Sequence, residues 1–110
     1  MYVEDAAEGI LLAAEHYEGS LTVNLGTGEE VTIRNLTTMI ADEAGCTGQI
    51  AWDTTNPNGQ PRRCLDVSRA KQLFGFQAKH AFREGLKKTM QWFSADRHNL
   101  RYVTSSPDYS

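Results

Sequence analysis

Cysteine is nearly absent: Cys46 and Cys64 are the only two in 110 residues. Two cysteines do not make a disulfide framework, so the reading is two free thiols in a reducing cytoplasm. The three histidines, His16, His80 and His98, share no ligand spacing with one another or with the cysteines, which leaves a metal site without support. Positive charge is in deficit, with 11 Lys and Arg against 14 Asp and Glu and a formal net charge of −3. Nucleic-acid binders carry a basic excess or a basic stripe, so binding by bulk electrostatics is excluded as an expectation. No apolar run is long enough to span a bilayer. The opening M-Y-V-E-D-A-A-E is acidic and lacks the basic start of a signal peptide. There is no G-x-S-x-G nucleophile turn and no Tyr-x-x-x-Lys anywhere.

What remains is an ordinary globular composition, 40% hydrophobic and 23% charged, enough for one modest core. Residues 4–17 read as a helix, with Ala6, Ala7, Ile10, Leu11, Ala14 and Tyr17 on one face and Asp5 as a plausible cap. The β-prone run 21–25 predicts a strand. Thr32 caps a second helix over 33–44, faced by Ile33, Leu36, Ile40, Ala41 and Ala44, with Gly45 placed to end it. Residues 49–52 predict a second strand, and strand, helix, strand in this order favours parallel pairing. Asp66 is placed to cap a short helix over 67–74, stopped by Gly75. A last helix over 82–93 carries the stripe Phe82, Leu86, Met90 and Phe93. The expected fold is therefore α/β: a small domain of about four helices around a short, mostly parallel sheet.

Three features invite a functional reading. Asn24-Leu25-Gly26-Thr27-Gly28 looks like half of a dinucleotide-binding turn, but position 31 is Val, and Glu29 and Glu30 would repel a pyrophosphate. It reads as a tight turn, and the two glutamates as solvated surface. Trp52 and Trp92 read as core or interface aromatics. The loop N-P-N-G-Q-P-R-R-C-L-D, residues 56–66, is the sharper feature: it holds Arg62 and Arg63 behind prolines that stiffen it. Guanidinium forks suit phosphate oxygens. Residue types alone leave a second reading open, in which the arginines pair with Asp66 or Asp53 on the surface.

The order of segments narrows the choice. Y-V-E-D-A-A-E-G-I, V-N-L-G-T-G-E-E-V-T-I-R-N-L, P-N-G-Q-P-R-R-C-L-D-V-S-R-A, L-F-G-F and F-R-E-G-L-K-K-T-M-Q-W-F resemble, in sequence, the C-terminal part of an extended short-chain dehydrogenase/reductase. This is the NAD-dependent epimerase/dehydratase family, and its GDP-L-fucose synthase branch is the most similar. The resemblance implies a nucleotide-sugar-binding domain over 1–93, corresponding to the C-terminal part of an extended Rossmann-type enzyme, and a polar tail over 94–110. It places Asn58 against the nucleotide, where the branch usually has Asp, and Arg63 near the phosphates, with Arg62 on the ligand or shaping the loop. The Asn58 departure removes a charge and an acceptor that guanine would use.

The family's NADP site and its catalytic Tyr and Lys lie upstream of the matched segment. The resemblance thus implies no catalytic residue and no cofactor bound by this chain alone, and inactivity in isolation. A GDP-sugar or other nucleotide-sugar is the expected ligand. An apolar face left bare predicts a homo-oligomer, most simply a dimer, or a Rossmann-domain partner in trans. The alternative reading is an orphan interaction module that kept the fold and lost the chemistry.

Overall fold

A computed structural model describes residues 1–57 and 59–100. Among these residues there are four helices: α1 (Val3–His16), α2 (Ile33–Glu43), α3 (Ser68–Phe74) and α4 (Phe82–Leu100). α1 packs on α3, and α2 on α4. The helix count agrees with the sequence; the sheet does not. Among the described residues there is no strand, which overturns the expected α/β fold with its mostly parallel sheet.

The reason lies in where the backbone groups go. A strand exists only as part of a ladder, and two short segments without a third make a marginal one. Residues 21–25 are claimed by side chains instead. The Tyr17 hydroxyl bonds both Leu21 N and Leu21 O at 3.0 Å, and Arg69 donates to Thr22 O. Asn24 Nδ2 reaches Asp66 O at 3.5 Å. Residues 49–52 stay exposed, with the Arg34 guanidinium 5.2 Å from the Trp52 ring centroid.

The core is small. Ala70, Phe74 and Phe76 are its buried members, with Leu12, Ala13, Tyr17, Val23, Leu25 and Ala78 packed around them. The end of α3 delivers Phe76 to this core. Gly75 takes φ 68°, which its missing Cβ permits, while Gly75 N donates to Lys71 O at 3.0 Å and Phe76 N to Ala70 O at 3.2 Å. The left-handed Gly75 with its bond four residues back is an αL cap, and it turns the chain so that Phe76 folds back beneath the helix. Gly45 ends α2 with φ 65°, and Thr32 Oγ1 caps it by accepting from Asn35 N at 3.1 Å, both as expected.

α1 buries a different face from the expected one, although Tyr17 of the expected stripe packs on the core and Ala6 is half-buried. Its buried residues are Asp5 and Gly9, and Leu12 and Ala13 follow on the same side. A Cβ on Gly9 would lie 3.0 Å from both Leu25 Cδ1 and Phe76 Cε2, so the helix sits close because residue 9 has no side chain. Val3, Ile10 and Leu11 are 62–70% exposed, and Ala7 and Ala14 are exposed beside them. α1 therefore has two apolar faces, and periodicity alone selected the wrong one.

Asp5 does not cap α1 either. The cap position is Tyr2, which makes no side-chain cap bond. α4 runs seven residues past its expected end, through Ser94-Ala95-Asp96-Arg97, where no Gly or Pro interrupts it. Residues 101–110 of the predicted tail lie outside the described residues. No helix among the described residues is long and apolar enough to cross a membrane.

Candidate functional site

The arginine loop docks against the G-T-G turn. Gly28 takes φ 74°, and Thr27 Oγ1 accepts from Glu29 N at 3.1 Å, which closes the turn. Side chains of the loop fill the space over it: a Cβ on Gly26 or Gly28 would come within 3.2 Å of Val67. The Cys64 thiol lies 3.7 Å from Gly28 O, and both cysteines are free and exposed. Asp66 Oδ1 accepts from Ser68 N at 2.9 Å, so the loop ends in the start of α3 as its sequence suggests.

These contacts leave clefts at the arginines, two of which Arg63 lines. One, about 310 Å³, lies between Glu30, Thr32 and Ile33 on one side and Gln60, Pro61 and Arg62 on the other. The second, about 250 Å³, runs along Leu25 to Glu29 beside Cys64 and Leu65. Arg63 lines both. No side-chain partner for Arg63 is found among the described residues.

Arg62 is engaged. Its Nε donates to Glu30 Oε1, and this hydrogen bond together with the Glu30 charge pushes the guanidinium pKa up. Neither expected partner is used, because each carboxylate is held by its own neighbours. Asp53 accepts from Thr55 N at 2.9 Å, Thr55 Oγ1 at 2.6 Å and Asn56 Nδ2 at 3.1 Å. The Thr55 hydroxyl and amide hold the Asp53 pKa below the ordinary carboxylate range, and Ser68 does the same for Asp66. The sequence reads Glu30 as solvated surface, and the structure makes it the anion that Arg62 binds. Of the three expected ligand contacts, Arg62 and Arg63 share one loop edge, and Asn58 lies outside the described residues.

The residues do not fit a nicotinamide dinucleotide. The face of the G-T-G turn is covered by Val67, and the carboxylates of Glu29 and Glu30 follow where a pyrophosphate would need donors. Among the described residues no group of three acidic, His or Cys side chains could hold a metal.

A second polar cluster escaped the sequence reading. Asp5 is 1% exposed; its Oδ2 accepts from His80 N at 3.1 Å, and its Oδ1 lies 2.9 Å from His80 Nδ1. Lys88 Nζ approaches His80 Nε2 at 3.0 Å, and the Tyr2 ring meets the imidazole edge-on at 4.8 Å. Seventy-five positions separate Asp5 from His80, so no local spacing signals the pair.

No protein-family model matches the chain. It is 37% identical over 93 residues to a GDP-L-fucose synthase of Arabidopsis thaliana, covering 84% of this chain and 28% of that one. It is 39% identical over 79 residues to the GDP-L-fucose synthase of Escherichia coli, covering 72% and 24%. The chain is a member of the sugar-nucleotide epimerase/reductase family. In structure it is similar to the Bordetella bronchiseptica enzyme WbmF in complex with NAD+ and UDP, with a TM-score of 0.79 and 25% identity over 92% of this chain and 30% of that one. The chain spans about 28% of the length of the curated relatives it matches. The family resemblance of its motifs is thus borne out.

Proposed function

We propose that this chain is the nucleotide-sugar-binding part of a GDP-L-fucose synthase-like epimerase/reductase, held over residues 1–93, and that by itself it binds without catalysing. The observation that carries this is Arg63: an arginine with no side-chain partner among the described residues, on a proline-stiffened loop, lining two clefts. The loop's stiffness reduces the entropy lost on binding, and a guanidinium donates two parallel hydrogen bonds to a phosphate. The similar WbmF structure contains UDP, which supports a nucleoside diphosphate as the ligand class. In the proposed complex Arg63 grips one phosphate, Arg62 swings to the other, and Asn58 meets the base. The nicotinamide cofactor, NADP in the fucose-synthase branch, would belong to the Rossmann-type remainder of the fold, since the residues here do not fit it.

Titration calorimetry with GDP-mannose and UDP-glucose tests this. Arg63→Ala is expected to weaken binding at least tenfold, since a hydrogen bond to a charged group contributes about 1.5–3 kcal/mol. Lys79→Ala, which removes an exposed pair with Glu8, is expected to change nothing. Equal affinity of the wild type and Arg63→Ala would remove Arg63 from the site.

The exposed stripe Val3, Ala7, Ile10, Leu11 and Ala14 favours one further proposal, pairing through α1. Apolar residues at this spacing on a free helix are a docking face. In the isolated chain the partner at hand is a second copy; in a complete enzyme it is the Rossmann-type remainder, in the same chain or in trans. Sedimentation equilibrium at about 100 µM is expected to show a dimer, and Leu11→Glu a monomer, since a desolvated carboxylate at the helix contact is costly. A wild-type monomer would contradict self-pairing and with it the orphan-module reading.

A further inference from the structure

The contact between Glu30 and Arg62 has the form of a competitor. Glu30 stands on a short connection fixed at both ends, by the Thr27–Glu29 turn on one side and the Thr32 cap of α2 on the other. Its carboxylate is therefore presented to the cleft. Arg62 is the mobile member: its side chain is 79% exposed, against 45% for Glu30, so it can turn away without repacking anything. The neighbouring charges nearly cancel. Arg62 and Arg63 bring two positive charges, Glu29 and Glu30 two negative ones, and Asp66 is tied down on Ser68 N.

We propose that Glu30 is a built-in stand-in for a ligand phosphate, one that holds Arg62 until an anion carrying at least two charges displaces it. The inference rests on the ligand-binding reading of the arginine loop and adds a regulation to that same site. A ligand with one negative charge is satisfied by Arg63 alone and offers Arg62 no more than Glu30 already does. A diphosphate offers a second acceptor group within reach of Arg62, and its extra charge tips the exchange. The carboxylate thus selects nucleoside diphosphates against monoanions and holds the empty loop together.

The exchange is between two exposed ion pairs, so its size is small and readable. An exposed pair contributes a few tenths to about one kcal/mol, and releasing Arg62 from it should tighten ligand binding about three- to fivefold. The test is a double-mutant cycle on the full chain, with GDP and inorganic pyrophosphate as probes and calorimetry as the readout. Glu30→Gln is expected to bind both probes three- to fivefold more tightly than the wild type. In an Arg62→Gln background the same change should gain less than twofold, because no cation remains to be released.

An equal gain in both backgrounds would overturn the proposal, since Glu30 would then act only by repelling the ligand. No gain in either would overturn it as well, while wild-type GDP binding lost in Arg63→Ala would leave the binding reading standing. If no variant binds either probe, the binding reading fails and the proposal falls with it. Both side chains are exposed, so the variants keep the fold, and the helical circular dichroism of each confirms that before titration.

Discussion

Asp5→Ala is expected to destabilise the chain by about 2–3 kcal/mol, a large share of the 5–15 kcal/mol that small domains possess. The carboxylate is buried and accepts two hydrogen bonds from His80, one from the backbone and one from the ring. Lys88 Nζ lies 3.0 Å from the other ring nitrogen, Nε2. The truncation takes the carboxylate from the half-buried His80 amide and ring nitrogen and releases the start of α1 from the chain ahead of α4. Gly85 lies at the same junction, where a Cβ would come within 2.8 Å of Tyr2 Cβ.

The pH dependence follows from the same contacts. Burial alone would push the Asp5 pKa up, but the hydrogen bonds from the His80 side chain and backbone and from the Lys79 backbone outweigh it and leave the pKa below the ordinary carboxylate value. A depressed pKa in the folded state contributes stability that is fully present above the unfolded value, near 4, and is lost as the pH falls through the folded one. The wild-type urea midpoint should hold from about pH 7 to pH 5 and drop below about pH 4. Asp5→Asn should start lower and show a shallower acid drop. Coincident pH profiles for the two would show that the tie contributes nothing.

Phe76→Ala should have the largest effect of any single change, about 3–5 kcal/mol. Phe76 is 3% exposed and one of three buried apolar side chains among the described residues, so little else there remains to hold α1 on α3. Gly9 was placed against its ring, and the cavity would open between those two helices. The variant is expected to lose its near-ultraviolet circular dichroism and its cooperative thermal transition at 25 °C while keeping part of its helical signal. A cooperative transition within a few degrees of the wild type would mean that the core lies elsewhere.

The sequence made some of this readable and hid the rest for identifiable reasons. Thr32, Gly45 and Gly75 mark helix ends through bonds to residues three to six away, and such local chemistry survives without tertiary context. The arginine loop was legible because a rigid turn with two guanidinia is unusual in an acidic chain. The face of α1 was not, because it carries apolar residues on two sides and Asp5, a charged residue, marks the buried one. Nor was the lack of strands among the described residues. Residues 21–25 have the right side chains, but a strand needs a backbone partner, and here Tyr17 and Arg69 side chains take the backbone groups. Glu30 and Arg62 lie 32 positions apart, beyond what spacing shows.

The central claim is that the loop carrying Arg62 and Arg63 is a nucleotide-diphosphate site. Titrating the isotope-labelled chain with GDP-mannose, and separately with UDP-glucose, while following amide chemical shifts tests it most directly. The account predicts saturable shifts confined to residues 58–66 and to the facing stretch 26–33, with those of Glu30 and Arg62 among the largest. Unchanged spectra at millimolar ligand, or shifts centred on the exposed face of α1, would contradict it.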